Sequence, residues 1–310
     1  MAMSFSDLKK SRNSEFEKLQ KAAEELKSNK PAGDDRFWSP TVDSSGNGFA
    51  VIRFLPAPKE EDVAFIRLFS HGFKGPTGQW YIENSLTTLG QKDPVSELNS
   101  ALWNESEDDN SPQRKQARAQ KRRLTFISNI YVVRDPGNPA NEGKVFLYKY
   151  GKKIWDKING AMYPEFEDEE GFNPFDFWTG ANFKLKIRNV EGYRNYDKSE
   201  FDKPEALSSN DEALSEIWDQ EHSLQALIAP DQFKSYDELS AKLKTVLGEQ
   251  AMTPNQRLAS APIASYTPPA ATKAAKAPEA PSASDDDLPW STEGGSDEED
   301  PMKLFEMMSK

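Results

Sequence analysis

A segment of strong turn-forming residues, DPGNPANEG at 135–143, separates two apolar runs and constrains the fold of this chain more than any other feature. The preceding run, LTFISNIYVV at 124–133, and the following run, KVFLYKY at 144–150, are rich in the β-branched and aromatic residues that favour strands. Pro, Gly and Asn between such runs favour a reversal of the chain. The three segments together predict an antiparallel hairpin.

Further strand-like runs flank this hairpin and set the expected fold class. They are NGFAVIRFLP at 47–56, VAFIRLF at 63–69, QWYIEN at 79–84 and ANFKLKIRNVEGYRNY at 181–196. Helical spacing of apolar residues predicts helices over about 151–162, 209–228 and 235–247. This order predicts a mainly β, α+β domain over residues 35–250, built as a five-stranded OB-fold barrel with an inserted subdomain and flanking helices.

The two ends of the chain differ in composition from this middle. Residues 1–34 carry Lys9, Lys10 and Arg12 ahead of helical spacing, which predicts a basic arm. Residues 251–284 are mostly Ala, Pro, Ser and Thr, a composition that buries too little surface to offset its ordering entropy and predicts a linker. Residues 285–310 are predicted to form an acidic tail, because 285–300 contain eight acidic residues and no Lys or Arg.

The residue types that the chain lacks exclude several kinds of site. It contains no cysteine, which excludes disulfides, thiolate zinc sites and cysteine nucleophiles. Its only histidines are His71 and His222, too few for a site with several imidazole ligands. No run of about 18 apolar residues predicts a membrane span, and no apolar signal region begins the chain.

A basic segment stands out because the whole chain has a formal net charge of -12 and a pI near 4.9. Residues 114–123 hold six basic side chains and no acidic one. Cations interleaved with aromatic residues are typical of proteins that hold single-stranded nucleic acid, because cations follow the backbone and rings stack on bases. The segment therefore predicts a local polyanion site; the alternative is a solvated loop.

The candidate nucleic-acid-binding residues share a position on or beside predicted strands, and we expect them to form one exposed surface of cations and rings. They are Trp103, Arg114, Lys115, Arg118, Lys121, Arg122, Arg123, Phe126, Tyr148, Lys152, Lys153, Tyr193, Arg194 and Tyr196.

Several collinear strings carry a family resemblance over roughly residues 45–200. GFAVIRFLP, HGFKGPTGQWYIEN, NIYVVRDPGNPANEGKVFLYKYGKKIWDKING and ANFKLKIRNVEGYRNYD together resemble the single-stranded DNA-binding protein of T-even-like bacteriophages, a helix-destabilising replication protein. The resemblance implies a non-enzymatic protein that binds single strands cooperatively and without sequence preference. It also implies a role in phage DNA replication, recombination and repair, in the cytoplasm of the infected bacterial host.

The resemblance also implies roles for individual residues. Five aromatic residues fall on positions that contact DNA in the family: Trp103, Phe126, Tyr148, Tyr193 and Tyr196. The arm residues Lys9, Lys10 and Arg12 fall in the motif that drives cooperative binding between neighbours. The acidic tail is expected to regulate DNA binding and to recruit a helicase loader, polymerase or recombinase through Asp285, Asp286, Asp287, Leu288 and Trp290.

One departure from the family concerns a structural zinc ion, which the family binds through one histidine and three cysteines. His71 keeps the histidine position, whereas Ser85, Asp93 and Ser96 replace the cysteines. Neutral hydroxyls with one carboxylate do not make a tetrahedral zinc site. We therefore expect no zinc and no other cofactor. Packing is expected to hold the subdomain at about 70–100 through Trp80, Leu86, Leu89, Val95 and Leu98.

Three other functions remain open from the residues alone. An RNA-binding OB-fold protein fits the same pattern, because nothing in it reads a 2′-hydroxyl. A metal-dependent nuclease would use the acidic cluster at 165–170, with Glu165, Glu167 and Asp168 as ligands. A scaffold that binds only other proteins is the third alternative.

Overall fold

The computed structural model describes residues 34–166 and 168–248 of the chain. Nine strands lie within these residues: β1 (Phe37–Trp38), β2 (Gly48–Phe54), β3 (Ile66–Lys74), β4 (Trp80–Asn84), β5 (Arg123–Arg134), β6 (Val145–Tyr150), β7 (Phe183–Val190), β8 (Tyr193–Asn195) and β9 (Glu200–Phe201). The same residues form five α-helices: α1 (Pro94–Asn104), α2 (Pro112–Ala119), α3 (Lys152–Met162), α4 (Asp211–Asp219) and α5 (Tyr236–Leu247).

The 12-residue strand β5 organises the sheet. It pairs antiparallel with β6 along one edge. Along its other edge it pairs with β3 at its start and with β2 at its end. The strand order is β1-β6-β5-β2-β7-β8, with β4 beside β3 and β9 beside β7. The structure is therefore a mixed α+β fold in which most strands join one sheet.

The predicted central hairpin is confirmed as β5 and β6, with Ile130 opposite Phe146. The carboxylate of Asp135 accepts hydrogen bonds from the backbone N–H of Asn138 and the side chain of Asn141, which closes the turn. Helix α3 is also confirmed, with Ile154 and Ile158 buried on one face. Helix α5 matches the last predicted helix and begins at a capping box formed by Ser235 and Glu238.

Two helices were not predicted, and both lie between β4 and β5. Helix α1 starts at the N-cap Asp93 and buries Val95, Leu98 and Leu102 on one face. Helix α2 covers part of the basic segment, starts at the N-cap Ser111, and has only Ala117 buried. A helix with one buried apolar residue shows no hydrophobic period, so the pattern of α2 gave no signal.

Two other predicted elements are shorter in the structure. The helix expected over 209–228 ends at Asp219, and the chain continues through a 3₁₀ turn at Gln225–Leu227. The strand expected over 181–196 is a hairpin, because Glu191 and Gly192 adopt left-handed φ angles of 54° and 88° and reverse the chain between β7 and β8. A glycine at such a position adopts positive φ without steric cost.

A second apolar cluster holds the subdomain that includes β4 and α1. Leu86, Val95 and Leu98 are buried in it with residues of α5, and Leu89 packs against it, as expected. The expectation for Trp80 was wrong, since this side chain is 40% exposed at the start of β4. Tyr81 and Phe73, which stack at 5.1 Å, supply the aromatic packing instead.

The main core lies between the sheet and α3, and includes Ile52, Phe54, Ile130 and Phe183. The strand pairings within the described residues do not close the sheet, so the five-stranded barrel stays a prediction. None of the helices described is long and apolar enough to cross a membrane. Lys9, Lys10 and Arg12 of the predicted arm, and Asp285, Asp286, Asp287, Leu288 and Trp290 of the predicted tail, lie outside the described residues.

Candidate nucleic-acid interface

The basic segment divides between a helix and a strand. Arg114, Lys115 and Arg118 lie on α2, and Arg123 begins β5. Within the segment, Lys115 and Arg118 are exposed, while Arg114 is half-buried. Lys121, Arg122 and Arg123 form the link between the helix and the strand, and all three are half-buried. The segment is therefore part of the fold and not a solvated loop.

Contacts with β3 hold the end of the basic segment in place. The guanidinium of Arg122 lies 4.0 Å from the ring centroid of Phe69. Arg123 donates a hydrogen bond to the carbonyl of Gly72 at 3.4 Å. Burial, together with the charge of Arg122, lowers the pKa of Lys121 below its ordinary value. The three cations therefore lie together where α2 leads into the start of β5.

Strand register directs the chain after β6, which carries a second pair of cations, towards the start of β5. Tyr150 at the end of β6 lies opposite Phe126 on β5, so the following residues run back towards Arg123. Lys152 and Lys153 occupy the first turn of α3 and are exposed. Lys152 forms an ion pair with Asp156 one helical turn later, at 2.8 Å.

Helix α3 links these cations to the β7–β8 hairpin. Lys157 donates a hydrogen bond to the carbonyl of Asp197 at 3.1 Å. Because residues four apart lie on the same side of a helix, Lys153 lies on the side of α3 that carries this contact. Tyr196 packs partly against the main core, and Tyr193 is 50% exposed at the start of β8. Arg194 between them is half-buried.

Two of the five predicted contact rings are buried, and the expectation that all are exposed was wrong for them. Phe126 and Tyr148 are each only 3% exposed. Phe126 stacks on Trp155 at 4.4 Å and on Tyr150 at 5.7 Å. Tyr148 stacks on Tyr150 at 5.6 Å and meets the edge of Trp38 at 5.2 Å. These five rings form an aromatic ladder; a DNA-contacting role for Phe126 and Tyr148 stays a prediction.

Trp103 is half-buried and carries two guanidinium groups of the basic segment. Its ring packs against the second cluster, and the guanidinium carbons of Arg114 and Arg118 lie 4.3 and 5.3 Å from the ring centroid. Cation–π attraction of this kind holds both arginines over the ring. The ring therefore orients cations in the structure.

One residue on α3, Trp155, joins the surface although the sequence pattern did not single it out for it. Trp155 is the half-buried end of the aromatic ladder and is flanked in sequence by Lys152, Lys153 and Lys157. Ile154 and Ile158 mark the buried face of the helix, so Trp155 lies at the border of that face. The position of Trp155 one residue away from the buried Ile154, among lysines, is the sequence feature that could have identified it.

Lys149 is a cation inside the sheet and not on its surface. Burial lowers the pKa of Lys149 to about 7, although the charge of Asp34 acts in the opposite direction. Its ammonium lies 4.1 Å from the ring centroid of Phe37. The cations of the interface thus come from the edge of the sheet and α3, while this strand lysine packs against β1.

The four positions expected in place of the family zinc site meet in one buried network. His71 Nε2 lies 3.3 Å from Asp93 Oδ1, and both side chains are buried. Asp93 also accepts backbone hydrogen bonds from Leu86, Val95 and Ser96. Burial raises the pKa of Asp93, but the hydrogen bond and charge of His71, with help from Ser96 and Ser85, bring it below its ordinary value.

This donor set does not fit a tetrahedral zinc ion. Zinc sites of this kind use thiolate, imidazole or carboxylate ligands. Two of the four positions offer neutral hydroxyls, and the Ser85 hydroxyl contacts the Thr87 hydroxyl at 3.0 Å. The oxygens of Asp93 already accept three backbone N–H groups. Hydrogen bonds occupy the place where metal bonds would be needed.

The network also holds the basic segment. The carbonyl of Gln120, one residue before Lys121, lies 3.0 Å from His71 Nδ1. The same carbonyl accepts a hydrogen bond from the Asn99 side chain on α1, at 3.0 Å. The end of α2 is thereby tied to β3 and α1, which places the cations that follow it.

The acidic cluster at 165–170 follows α3. Glu165 and Asp168 are exposed, and Glu167 lies outside the described residues. Among the residues that the structure describes, no three His, Cys, Asp or Glu side chains converge as metal ligands. The described part of this cluster offers no arrangement on which a metal-dependent cleavage site can be argued.

Comparison with known proteins gives one consistent result. Residues 46–247 match the family described as gp32 DNA binding protein like. The chain is 43% identical over 224 residues to the single-stranded DNA-binding protein of Enterobacteria phage T2, covering 69% of this chain and 71% of that protein. It is 42% identical to the single-stranded DNA-binding protein of Enterobacteria phage T4, with the same shares covered.

The buried network yields a stability prediction. Asp93→Asn replaces the buried carboxylate that caps α1 and faces His71 by a neutral amide, and we expect a loss of about 1.5–3 kcal/mol in the free energy of unfolding, as for hydrogen bonds that involve a charged group. Asn210→Ala removes only an exposed N-cap, that of α4, and should cost about 1 kcal/mol. Urea denaturation of both variants measures the difference; equal losses would contradict a role beyond capping.

Proposed function

We propose that this chain, which belongs to the family of gp32-like DNA-binding proteins, binds single-stranded DNA without reading its sequence. It acts, in this proposal, in phage DNA replication, recombination and repair, in the cytoplasm of the infected bacterium. Its role is to cover and organise single strands and not to catalyse a reaction. The identity with the single-stranded DNA-binding proteins of phages T2 and T4 supports this.

One structural observation carries the proposal: α3 joins the two parts of the cationic surface. The register of β6 supports this, because Tyr150 lies opposite Phe126 and the chain then continues in the direction of Arg123 at the start of β5. The contact between Lys157 and Asp197 brings the exposed Tyr193 hairpin to the same helix. Cations that follow a backbone beside rings that stack on bases are what sequence-independent binding to a single strand requires.

We propose an OB-type barrel as the finer description of the core. β5 supports it, because one long strand pairs with β3 near its start and with β2 near its end. A strand shared in this way bends the sheet towards closure. The binding surface would lie at the edge where the basic segment enters β5.

The ends of the chain have proposed roles that rest on sequence. Lys9, Lys10 and Arg12 of the arm would contact a neighbouring copy on the strand and make binding cooperative. The acidic tail would compete with DNA for the cationic surface at high effective concentration. Its residues Asp285, Asp286, Asp287, Leu288 and Trp290 would recruit a helicase loader, polymerase or recombinase.

Oligo-dT titration tests the proposed function. Binding of oligo-dT should quench the intrinsic fluorescence of the protein. The affinity should fall as salt rises, with a slope of log K against log salt concentration of about -0.7 for each phosphate neutralised. Tyr193→Ala should lower affinity about 5- to 150-fold, the equivalent of one lost stacking contact. Tyr163→Ala, at a tyrosine exposed beside the acidic cluster, serves as the matched control and should change nothing.

Three outcomes would reverse the proposal. Matched oligo-rU that binds as tightly as oligo-dT would favour the RNA-binding alternative. Cleavage of labelled strands in Mg²⁺ would favour the nuclease. An absence of quenching at low salt would favour a scaffold that binds only proteins.

Removal of the tail tests its regulatory role. Deletion of 251–310 should raise affinity for oligo-dT at moderate salt and lower the melting temperature of a duplex in its presence. Trp290→Ala keeps every acidic charge, so it should leave the DNA affinity unchanged while weakening capture of a partner protein. Unchanged affinity after the deletion would contradict competition by the tail.

We also propose that the protein folds and binds DNA without zinc. The hydrogen bonds of Asp93 and His71 support this. EDTA should leave the melting temperature unchanged, and the purified protein should contain far less than one zinc per chain. A variant with cysteine at Ser85, Asp93 and Ser96 should gain one zinc, because these positions meet in space; a full zinc complement in the unaltered protein would contradict the proposal.

A further inference from the structure

An acidic loop folds back onto the exposed side of α2. Residues 105–111 connect α1 to α2, and Asp109 reaches the arginines of the helix. Its Oδ1 lies 2.7 Å from Arg114 Nη1 and 3.0 Å from Arg118 Nη2. Arg118 Nη1 also donates to the Asp109 carbonyl at 2.6 Å, and Arg114 Nε donates to the Ser106 carbonyl at 2.7 Å.

The two arginines are held by the protein more firmly than the carboxylate is. Both guanidinium groups lie over the Trp103 ring, which packs on the second apolar cluster. The Arg114 side chain is only 16% exposed, whereas the Asp109 side chain is 69% exposed. Asp109 can therefore leave towards solvent while the guanidinium groups keep their support.

The chemistry of this arrangement is that of an anion site. Guanidinium groups bind carboxylate and phosphate oxygens with the same geometry, and charged hydrogen bonds of this kind are among the strongest. In the structure a single oxygen of Asp109 receives both guanidinium groups. A phosphodiester offers two unesterified oxygens and can serve each guanidinium with its own acceptor. The hydrogen bonds of Arg114 lower the pKa of Asp109 further, so the carboxylate stays ionised.

We propose that Arg114 and Arg118 form a phosphate site that Asp109 occupies in the free protein, and that a phosphate of the bound strand displaces Asp109. This inference rests on the proposed binding of single-stranded DNA. Asp109 then acts as an internal competitor, which lowers affinity and keeps bound strands exchangeable. Only the Asp109 side chain moves away, so the backbone carbonyls of Ser106 and Asp109 keep their hydrogen bonds to the two arginines.

The competitor has a measurable consequence for salt dependence. In the unaltered protein, Asp109 recovers counterions when a phosphate displaces it, which offsets part of the counterion release from DNA. A variant without this carboxylate takes up no such counterions. The slope of log K against log salt concentration should therefore be steeper in the variant, by up to about 0.7. Exposed ion pairs are weak, so loss of both should tighten binding only about two- to thirtyfold.

Asp109→Asn, titrated with oligo-dT at several salt concentrations, tests the proposal. We expect tighter binding and a steeper salt slope, with the larger gain at low salt. Glu107→Gln is the matched control: it removes one exposed negative charge two residues away, and we expect less than about a twofold change from it. Asp109→Ala, read with the same titration, guards against an effect peculiar to the asparagine side chain.

A double-mutant cycle assigns the effect to the arginines. Replacing Arg114 and Arg118 by Gln should weaken binding, and Asp109→Asn added to that pair should then have no effect. Asp109→Asn that gains no more than Glu107→Gln, or that weakens binding while its melting temperature is unchanged, would overturn the inference. Those outcomes leave the proposed function intact, whereas no binding of oligo-dT by the unaltered protein would remove the function itself.

Discussion

The hydrogen bonds along both edges of β5 are the constraint on which the rest of the structure depends. β6 occupies one edge, and β3 and β2 share the other. Side chains alternate between the faces of a strand, so a slip of one residue in this pairing would exchange its faces. The observed register buries Phe126 against Tyr150 and brings Arg123 beside Ser70 on β3. It therefore decides both which rings enter the core and where the cations emerge.

A buried polar network adds a second, more local constraint. The Gln120 carbonyl is held by His71 from β3 and by Asn99 from α1, and Asp93 links His71 to the start of α1. An unsatisfied buried carbonyl would cost about 1–3 kcal/mol, so the network fixes where α2 ends. The inserted subdomain and the basic segment are thus connected by hydrogen bonds. A substitution that breaks these hydrogen bonds should also displace the cations that follow Gln120.

The coexistence of acid and base in this protein has a structural counterpart. Cations near the interface have carboxylate partners: Lys152 with Asp156, Arg188 with Asp197, and Arg114 with Asp109. Exposed pairs of this kind contribute little to stability and are readily exchanged. A polyanion that replaces such carboxylates meets cations already in position. The net charge of the whole chain therefore does not predict whether this surface binds a single strand, because phosphates replace carboxylates only at these cations.

Local patterns in the amino-acid sequence predicted the hairpin of β5 and β6, and helices α3 and α5, because turn residues, caps and apolar spacing are local properties. It also located the basic segment and the positions that meet at Asp93, the latter through family resemblance. Helix α2 was not predicted, because a helix with one buried residue has no hydrophobic periodicity.

Which rings are exposed depends on packing between distant parts of the chain. Phe126 and Tyr148 are as aromatic and as close to cations in sequence as Tyr193 is, yet they pack in the core while Tyr193 reaches solvent. The pairing of Arg114 and Arg118 with Asp109 likewise depends on tertiary contacts, because the loop between α1 and α2 folds back onto α2. Exposure and pairing depend on contacts between distant strands and loops, and such contacts leave no local pattern in the chain.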